Sequence, residues 1–347
     1  MKFTTLTKVT TDSSLPLLLS MARSFVTPLY RAAFLTGAVS SGVLQRLSGR
    51  GADVDTLAGA LGITDDRQLL RAWLDLGVRI GELAVDTGTY RLKSRTAKAL
   101  ALPRNDTVAA ALEEVVRFHL PVLLNAPAML RSGQRLTMAD QDGAIIARSS
   151  RVVQPFVEEA IERVLDRAAP LRLLEIGCGS GDYVRYAAQL NPRLTALAVD
   201  YQAEVAAAAA ANVTRWGLSD RVEVRQADVR ELDLEPQFDL ITMHNNIYYF
   251  PVEERTKLLE QARSLLAPGG RLLLTTACRG GSLSVEVLSL WFEYADFGGA
   301  LPEATELADQ LRKAGFGDVA VRRLIPGDQF CSFVGGNTAG TTKEHSA

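Results

Sequence analysis

Residues 173–181 read Leu173-Leu174-Glu175-Ile176-Gly177-Cys178-Gly179-Ser180-Gly181. A short apolar run that breaks into glycines at alternate positions is a strand turning tightly into a helix, with the backbone bare enough to approach a ligand. The dinucleotide fingerprint G-x-G-x-x-G is the nearest pattern. Here the third glycine comes one residue early, giving G-x-G-x-G, and Glu175 stands two residues before the first.

Downstream of Pro170, short β-rich runs alternate with helical ones. Strands are predicted at 171–176, 194–199, 222–225, 238–243 and 271–276, with helices at 182–190, 201–216 and 252–266. A helix at 303–314 and a late pair of strands at 319–324 and 329–334 follow. Strand–helix alternation predicts an α/β fold with a doubly wound, mostly parallel sheet. The second strand ends on Asp200 and the third is followed by Asp228-Val229. Asp239 opens the fourth strand, and Ala267-Pro268-Gly269-Gly270 reads as the turn into the fifth. Taken singly, each acid is more often solvated than functional; it is their order and spacing that set them apart.

With these elements in place, residues 171–335 resemble the class I S-adenosylmethionine-dependent methyltransferase domain, whose motif is E/D-x-G-x-G-x-G. The resemblance implies a seven-stranded, Rossmann-like sheet with an antiparallel last strand, and S-adenosyl-L-methionine as cofactor. It implies that Glu175 holds the methionine ammonium, directly or through water, and that Gly177, Gly179 and Gly181 line the cofactor. Asp200, followed by Tyr201, would bind the ribose, and Asp228 with Val229 the adenine; His244 and Asn245 would border the same crevice.

Methyl transfer asks a protein to align nucleophile, methyl and sulfur, to exclude water and, where needed, to remove a proton. The run Met243-His244-Asn245-Asn246-Ile247-Tyr248-Tyr249-Phe250 lies at the exit of the fourth strand. His244 is the candidate catalytic residue, because an imidazole titrates near neutrality; a purely hydrogen-bonding role for it stays open. Small-molecule O-methyltransferases with an N-terminal winged-helix dimerisation domain carry a histidine nearby, in an H-D/N-W context that this sequence lacks. With three histidines in the chain, no metal ligands are assigned, although one histidine with two carboxylates would suffice. His119, in an apolar helical stretch, reads as packing. The segment 284–299 (Leu288, Trp291, Phe292, Phe297) and the helical stretch before the sheet (Phe118, Leu123, Met129, Phe156) are mostly core, with some residues free to enclose an apolar acceptor. Arg148 and Arg151 read as a solvated helix face or as reaching a carboxylate on substrate or cofactor.

Residues 1–104 are predicted to form a mostly α, winged-helix-like dimerisation domain. Helices lie at 53–61 and 65–80, the second capped by Asp65, and a hairpin is predicted around Asp86-Thr87-Gly88. Residues 105–168 read as a helical linker and substrate cover broken at Pro121, Gly133 and Pro155, residues 169–335 as the cofactor domain, and 336–347 as a disordered tail. Residues 1–104 carry 14 Lys+Arg against 8 Asp+Glu, and the rest 24 against 32, for the net −2 of the chain. Basic charge invites a nucleic-acid reading, but helix 65–80 balances Arg67, Arg71 and Arg79 against Asp65, Asp66 and Asp75. The expected partners are therefore a small-molecule substrate and a second copy in a homodimer, with neither nucleic acid nor membrane. Three cysteines without a C-x-x-C pair fit a reducing cytoplasm, and no signal peptide is read near Lys2 and Lys8. The function expected is methylation of a natural product or an aromatic or oxo-acid acceptor at O, N or C; the alternative is a winged-helix nucleic-acid-binding protein or a nucleic-acid methyltransferase.

Overall fold

The computed structural model describes residues 14–337. The tail expectation, apart from Gly336 and Asn337, lies outside them, as do Lys2, Lys8 and His345. Contacts divide the chain into two units, one drawn from Met1–Leu120 with Ala144–Ser150, the other from Pro121–Gly143 with Arg151–Ala347. The segment 105–168 is thus shared between them.

In the first unit, helices Thr27–Ser40, Val43–Leu47, Val54–Leu61 and Arg67–Arg79 precede an antiparallel hairpin of β1 (Leu83–Asp86) and β2 (Thr89–Leu92). Phe34, Leu44, Leu57, Leu74, Leu83 and Tyr90 are among its buried residues. The packing is close: a Cβ on Gly77 would stand 2.3 Å from Phe34 Cζ. Asp53 caps its helix through the Thr56 N–H at 2.7 Å. The expected cap at Asp65 does not form; the N-cap is Asp66, with no side-chain bond, and Asp65 takes the Thr64 hydroxyl instead. Buried Glu82 accepts from Arg31 at 2.6 Å and from the Ser94 hydroxyl. Arg148 pairs with Asp106 at 2.7 Å and Glu113 at 3.0 Å within this unit. That corrects both readings of Arg148, since its guanidinium is already engaged by carboxylates of its own unit.

Pro121 does not break its helix either. The π-helical turn Val115–His119 widens the backbone just ahead of it, and Leu120–Ser132 continues with Pro127 inside. A wider turn gives the ring room and removes the need for the missing N–H. Pro155 begins helix Gln154–Val164 rather than interrupting it.

The second unit holds a seven-stranded sheet in the order β5-β4-β3-β6-β7-β9-β8. The strands are β3 (Leu171–Ile176), β4 (Leu194–Asp200), β5 (Val222–Gln226), β6 (Phe238–His244), β7 (Leu266–Ala277), β8 (Gly317–Arg323) and β9 (Phe330–Gly336). β3 to β7 run parallel, and β9 is antiparallel to both β7 and β8. This is the expected doubly wound α/β architecture. β3 is buried at every position but Arg172, as a central parallel strand covered on both faces should be. The sequence 267–270 is a bulge inside β7 rather than a turn before it: Phe238 pairs with Leu266, and the next pair is Leu240 with Arg271.

Candidate functional site

The strand order reverses at β3, between β4 and β6, and ligands of such sheets gather beyond the carboxyl ends there. Gly177, Gly179 and Gly181 follow β3 with φ of 67°, 55° and 82°, left-handed values that side chains resist. The space a Cβ on Gly177 would need is taken by Asn246 Nδ2, 2.5 Å away. Gly181 is the N-cap of helix Asp182–Leu190. The Cys178 N–H donates to the Val199 carbonyl at 2.9 Å, which ties the turn to β4.

Glu175 is 1 % exposed. One carboxyl oxygen accepts the Val184 N–H of the following helix, while Oε2 has no partner. Burial pushes its carboxyl up to about 8, and Asp182 and Asp200 add to the rise. Asp200 accepts the Gly179 N–H at 3.1 Å and the Gln202 N–H at 3.1 Å, and burial raises it too. The next helix starts at Ala203 rather than Tyr201, and the Tyr201 side chain is left exposed beside the strand end.

Asp228, expected at the adenine, does not offer a free carboxylate. Both its oxygens are held by the Arg230 guanidinium, the shortest contact being 2.7 Å, and Oδ1 also takes the Arg230 N–H. Arg230 therefore keeps it below the usual carboxylate range. Val229 beside it is buried.

His244 ends β6. Its Nδ1 lies 2.8 Å from Thr275 Oγ1, the Tyr183 ring packs edge-on at 4.8 Å, and Nε2 is buried without a partner. Burial lowers its pKa to about 3. The expectation of a histidine titrating near neutrality is thereby corrected: an imidazolium here would lose its hydration with no carboxylate to compensate. Asn245 follows in a left-handed conformation, φ 54°, its N–H donating to the Thr275 carbonyl at 2.8 Å. Asn246 donates Nδ2 to the Ile176 carbonyl at 2.6 Å, and its Oδ1 is buried without a partner.

Buried polar atoms without partners are few in native proteins. Among the described residues, three of them, Glu175 Oε2, His244 Nε2 and Asn246 Oδ1, belong to the ends of the adjacent strands β3 and β6 and the loop after β6. Such a cluster suits a polar ligand with donors to offer. Sequence reading quoted Asn246 but assigned it nothing, and it passed over Tyr183 and Thr275. An asparagine doublet at a strand exit was the available signal for the first; nothing local marks the other two.

Beyond β6, Tyr248 and Tyr249 pack with Phe292 at centroid distances of 4.7 and 5.0 Å, and Tyr249 stacks on Phe297 at 6.0 Å. Trp291 and Phe292 are buried core, whereas Tyr249 and Phe297 are half-buried. Phe156, expected as a possible cover residue, packs against the sheet core instead. Arg255, 1 % exposed, holds this wall together by donating to the carbonyls of Phe250 (3.1 Å), Gly299 (3.1 Å) and Ala300 (2.7 Å).

Comparison with known proteins adds to this geometry. Residues 174–272 match a family described as a methyltransferase domain. Demethylspheroidene O-methyltransferase of Rhodobacter capsulatus is 25 % identical over 321 residues, covering 86 % of this chain and 77 % of that protein. The 3-hydroxy-5-methyl-1-naphthoate 3-O-methyltransferase of Streptomyces sahachiroi is 22 % identical, over 89 % of this chain and 92 % of its own length. Among solved structures, mitomycin 7-O-methyltransferase superposes with a TM-score of 0.75 at 18 % identity, covering 93 % of this chain and 99 % of that one. Human N-acetylserotonin methyltransferase in complex with SAM gives 0.69 at 17 %, over 94 % and 99 %.

Proposed function

We propose that this chain, an S-adenosylmethionine-dependent methyltransferase of the class I fold, methylates a small, largely apolar acceptor of natural-product type. The observation that carries the reading is the cluster of unpartnered buried atoms at Glu175, His244 and Asn246, bordered by an aromatic wall. The residues present suit the cofactor. Glu175 would hold its ammonium, the glycine turn its backbone-proximal face, Asp200 and Tyr201 its ribose, and Asp228-Val229 its adenine. Because Arg230 engages the Asp228 carboxylate, the adenine contact falls to the backbone of Asp228 and Val229.

When bound, the sulfonium supplies an electrophilic methyl group. The protein's part is to orient the acceptor and keep water away, which apolar, half-buried residues such as Tyr249 and Phe297 favour. His244, held neutral, offers the Nε2 lone pair as an acceptor that orients a hydroxyl; its low pKa makes it a poor proton sink near neutrality. The relatives named above are, by their names, O-methyltransferases of demethylspheroidene and of a hydroxynaphthoate, which favours a hydroxyl acceptor here.

The N-terminal helices and hairpin are proposed to be a winged-helix-like dimerisation unit rather than a nucleic-acid reader. Helix Ser14–Met21 buries no residue, and Leu17, Leu18, Leu19 and Phe25 are each about 60 % exposed or more. A contiguous apolar surface of that kind suits a second copy. No helix among the described residues is long and apolar enough to cross a membrane, and a cytoplasmic setting is proposed.

Calorimetry with S-adenosylhomocysteine, followed by transfer of labelled methyl from S-adenosylmethionine to a panel of phenols, hydroxynaphthoates and oxo acids, tests the reading. One-to-one cofactor binding with label in an organic acceptor is expected. Cofactor binding with transfer only to nucleic acid or protein would overturn it.

A further inference from the structure

The geometry points to Asn246 as a second acceptor for the cofactor's ammonium, partnering Glu175. This rests on the cofactor reading above. Asn246 bridges two strands: it is reached from β6, yet its amide nitrogen is bonded to the Ile176 carbonyl at the end of β3 and fills the Cβ space of Gly177. That bond fixes the flip of the carboxamide, because only the nitrogen can donate to a carbonyl. Oδ1 is therefore an acceptor by necessity, and it is buried with nothing to accept.

Such an oxygen costs stability unless a donor arrives. The cofactor has three sets of donors: the ribose hydroxyls, the adenine amine and the ammonium. Asp200 ends β4 and Asp228 follows β5, on one side of β3, so the ribose and adenine lie that way. Asn246 and Glu175 belong to the junction of β3 with β6, where the amino-acid end of the cofactor remains. An ammonium has three N–H groups and can satisfy Glu175 Oε2 and Asn246 Oδ1 together. The glycine at 177 thus serves the asparagine as well as the turn: any side chain there would displace the amide that carries this oxygen.

The test compares two ligands that share the nucleoside and thioether and differ at the amino-acid end. S-adenosylhomocysteine carries the ammonium; 5′-methylthioadenosine keeps the nucleoside and thioether and lacks the amino-acid end. Calorimetry on the wild type, Asn246→Ala and Asn246→Asp reads the affinities, and thermal unfolding of the ligand-free proteins reads folding. Loss of a hydrogen bond to a charged group predicts that Asn246→Ala weakens S-adenosylhomocysteine by roughly 10- to 100-fold and methylthioadenosine by less than about threefold. Asn246→Asp, which keeps an acceptor oxygen but loses the bond to Ile176, is expected to recover most of the first loss. Equal loss of both ligands in both variants would assign Asn246 to turn structure alone and overturn the inference, as would no loss in either. A wild type that binds neither ligand would overturn the cofactor reading itself.

Discussion

Replacing Glu175 by Gln should abolish a pH dependence that the structure builds into cofactor binding. With its carboxyl pushed up to about 8 by burial, Glu175 is about 90 % protonated at pH 7 in the ligand-free protein. Holding an ammonium requires the ionised form, so binding at pH 7 must expel about 0.9 proton, at a cost of about 1 kcal/mol. The affinity for S-adenosylhomocysteine should then rise about tenfold per pH unit from pH 6 and flatten near pH 8. Titrations in buffers of different ionisation heat count the protons released. Stability of the ligand-free protein runs the opposite way. The folded pKa lies above the ordinary 4.5, so the stabilisation is complete below that value and is lost as pH rises through about 8. Roughly 3 kcal/mol is gone by pH 7 in the ligand-free protein. Glu175→Gln should flatten both curves and be the more stable protein above pH 7 without ligand. A wild type with pH-independent affinity and no proton release would sink the argument.

Further predictions concern separate residues. Asp200→Ala should weaken S-adenosylmethionine by about 1–3 kcal/mol in calorimetry, and Asp228→Ala by much less, its carboxylate being held by Arg230; equal losses would refute that distinction. At saturating cofactor and acceptor, turnover should show no limb near the ordinary histidine value of 6.5; such a limb, absent from His244→Ala, would refute the neutral imidazole. Arg255→Met strands three carbonyls and should cost roughly 3 kcal/mol or more in denaturant unfolding, with Arg255→Lys intermediate; a loss under about 0.5 kcal/mol would contradict the contacts seen. Leu18→Glu with Phe25→Ser should halve the mass seen by light scattering, whereas a monomeric wild type would remove the dimer proposal.

Much of the sheet was legible because its parallel strands are short, mostly apolar runs, as 171–176 and 238–243 are, alternating with helical stretches. Glycines needing left-handed backbone likewise announce themselves. What could not be read depends on side-chain contacts that form only in the folded chain. Arg230 stands two residues from Asp228, yet only the folded turn shows both carboxylate oxygens taken. His244 is chemically a base in any sequence; the Thr275 hydroxyl and Tyr183 ring that enclose it come from elsewhere in the chain. Pro121 breaks an α-helix by rule, and the π turn that spares it has no signature in composition.

The place of β9 has a consequence for how the sheet is assembled. β8 has no sheet neighbour except β9, and β9 is made after it. Until residues 330–336 emerge from synthesis, β8 has nowhere to dock and the twelve-residue β7 presents a bare edge. Such an edge is a template for other chains. A chain stopped before Phe330 would therefore be left sticky rather than merely shorter, and closure of the sheet waits on its last strand.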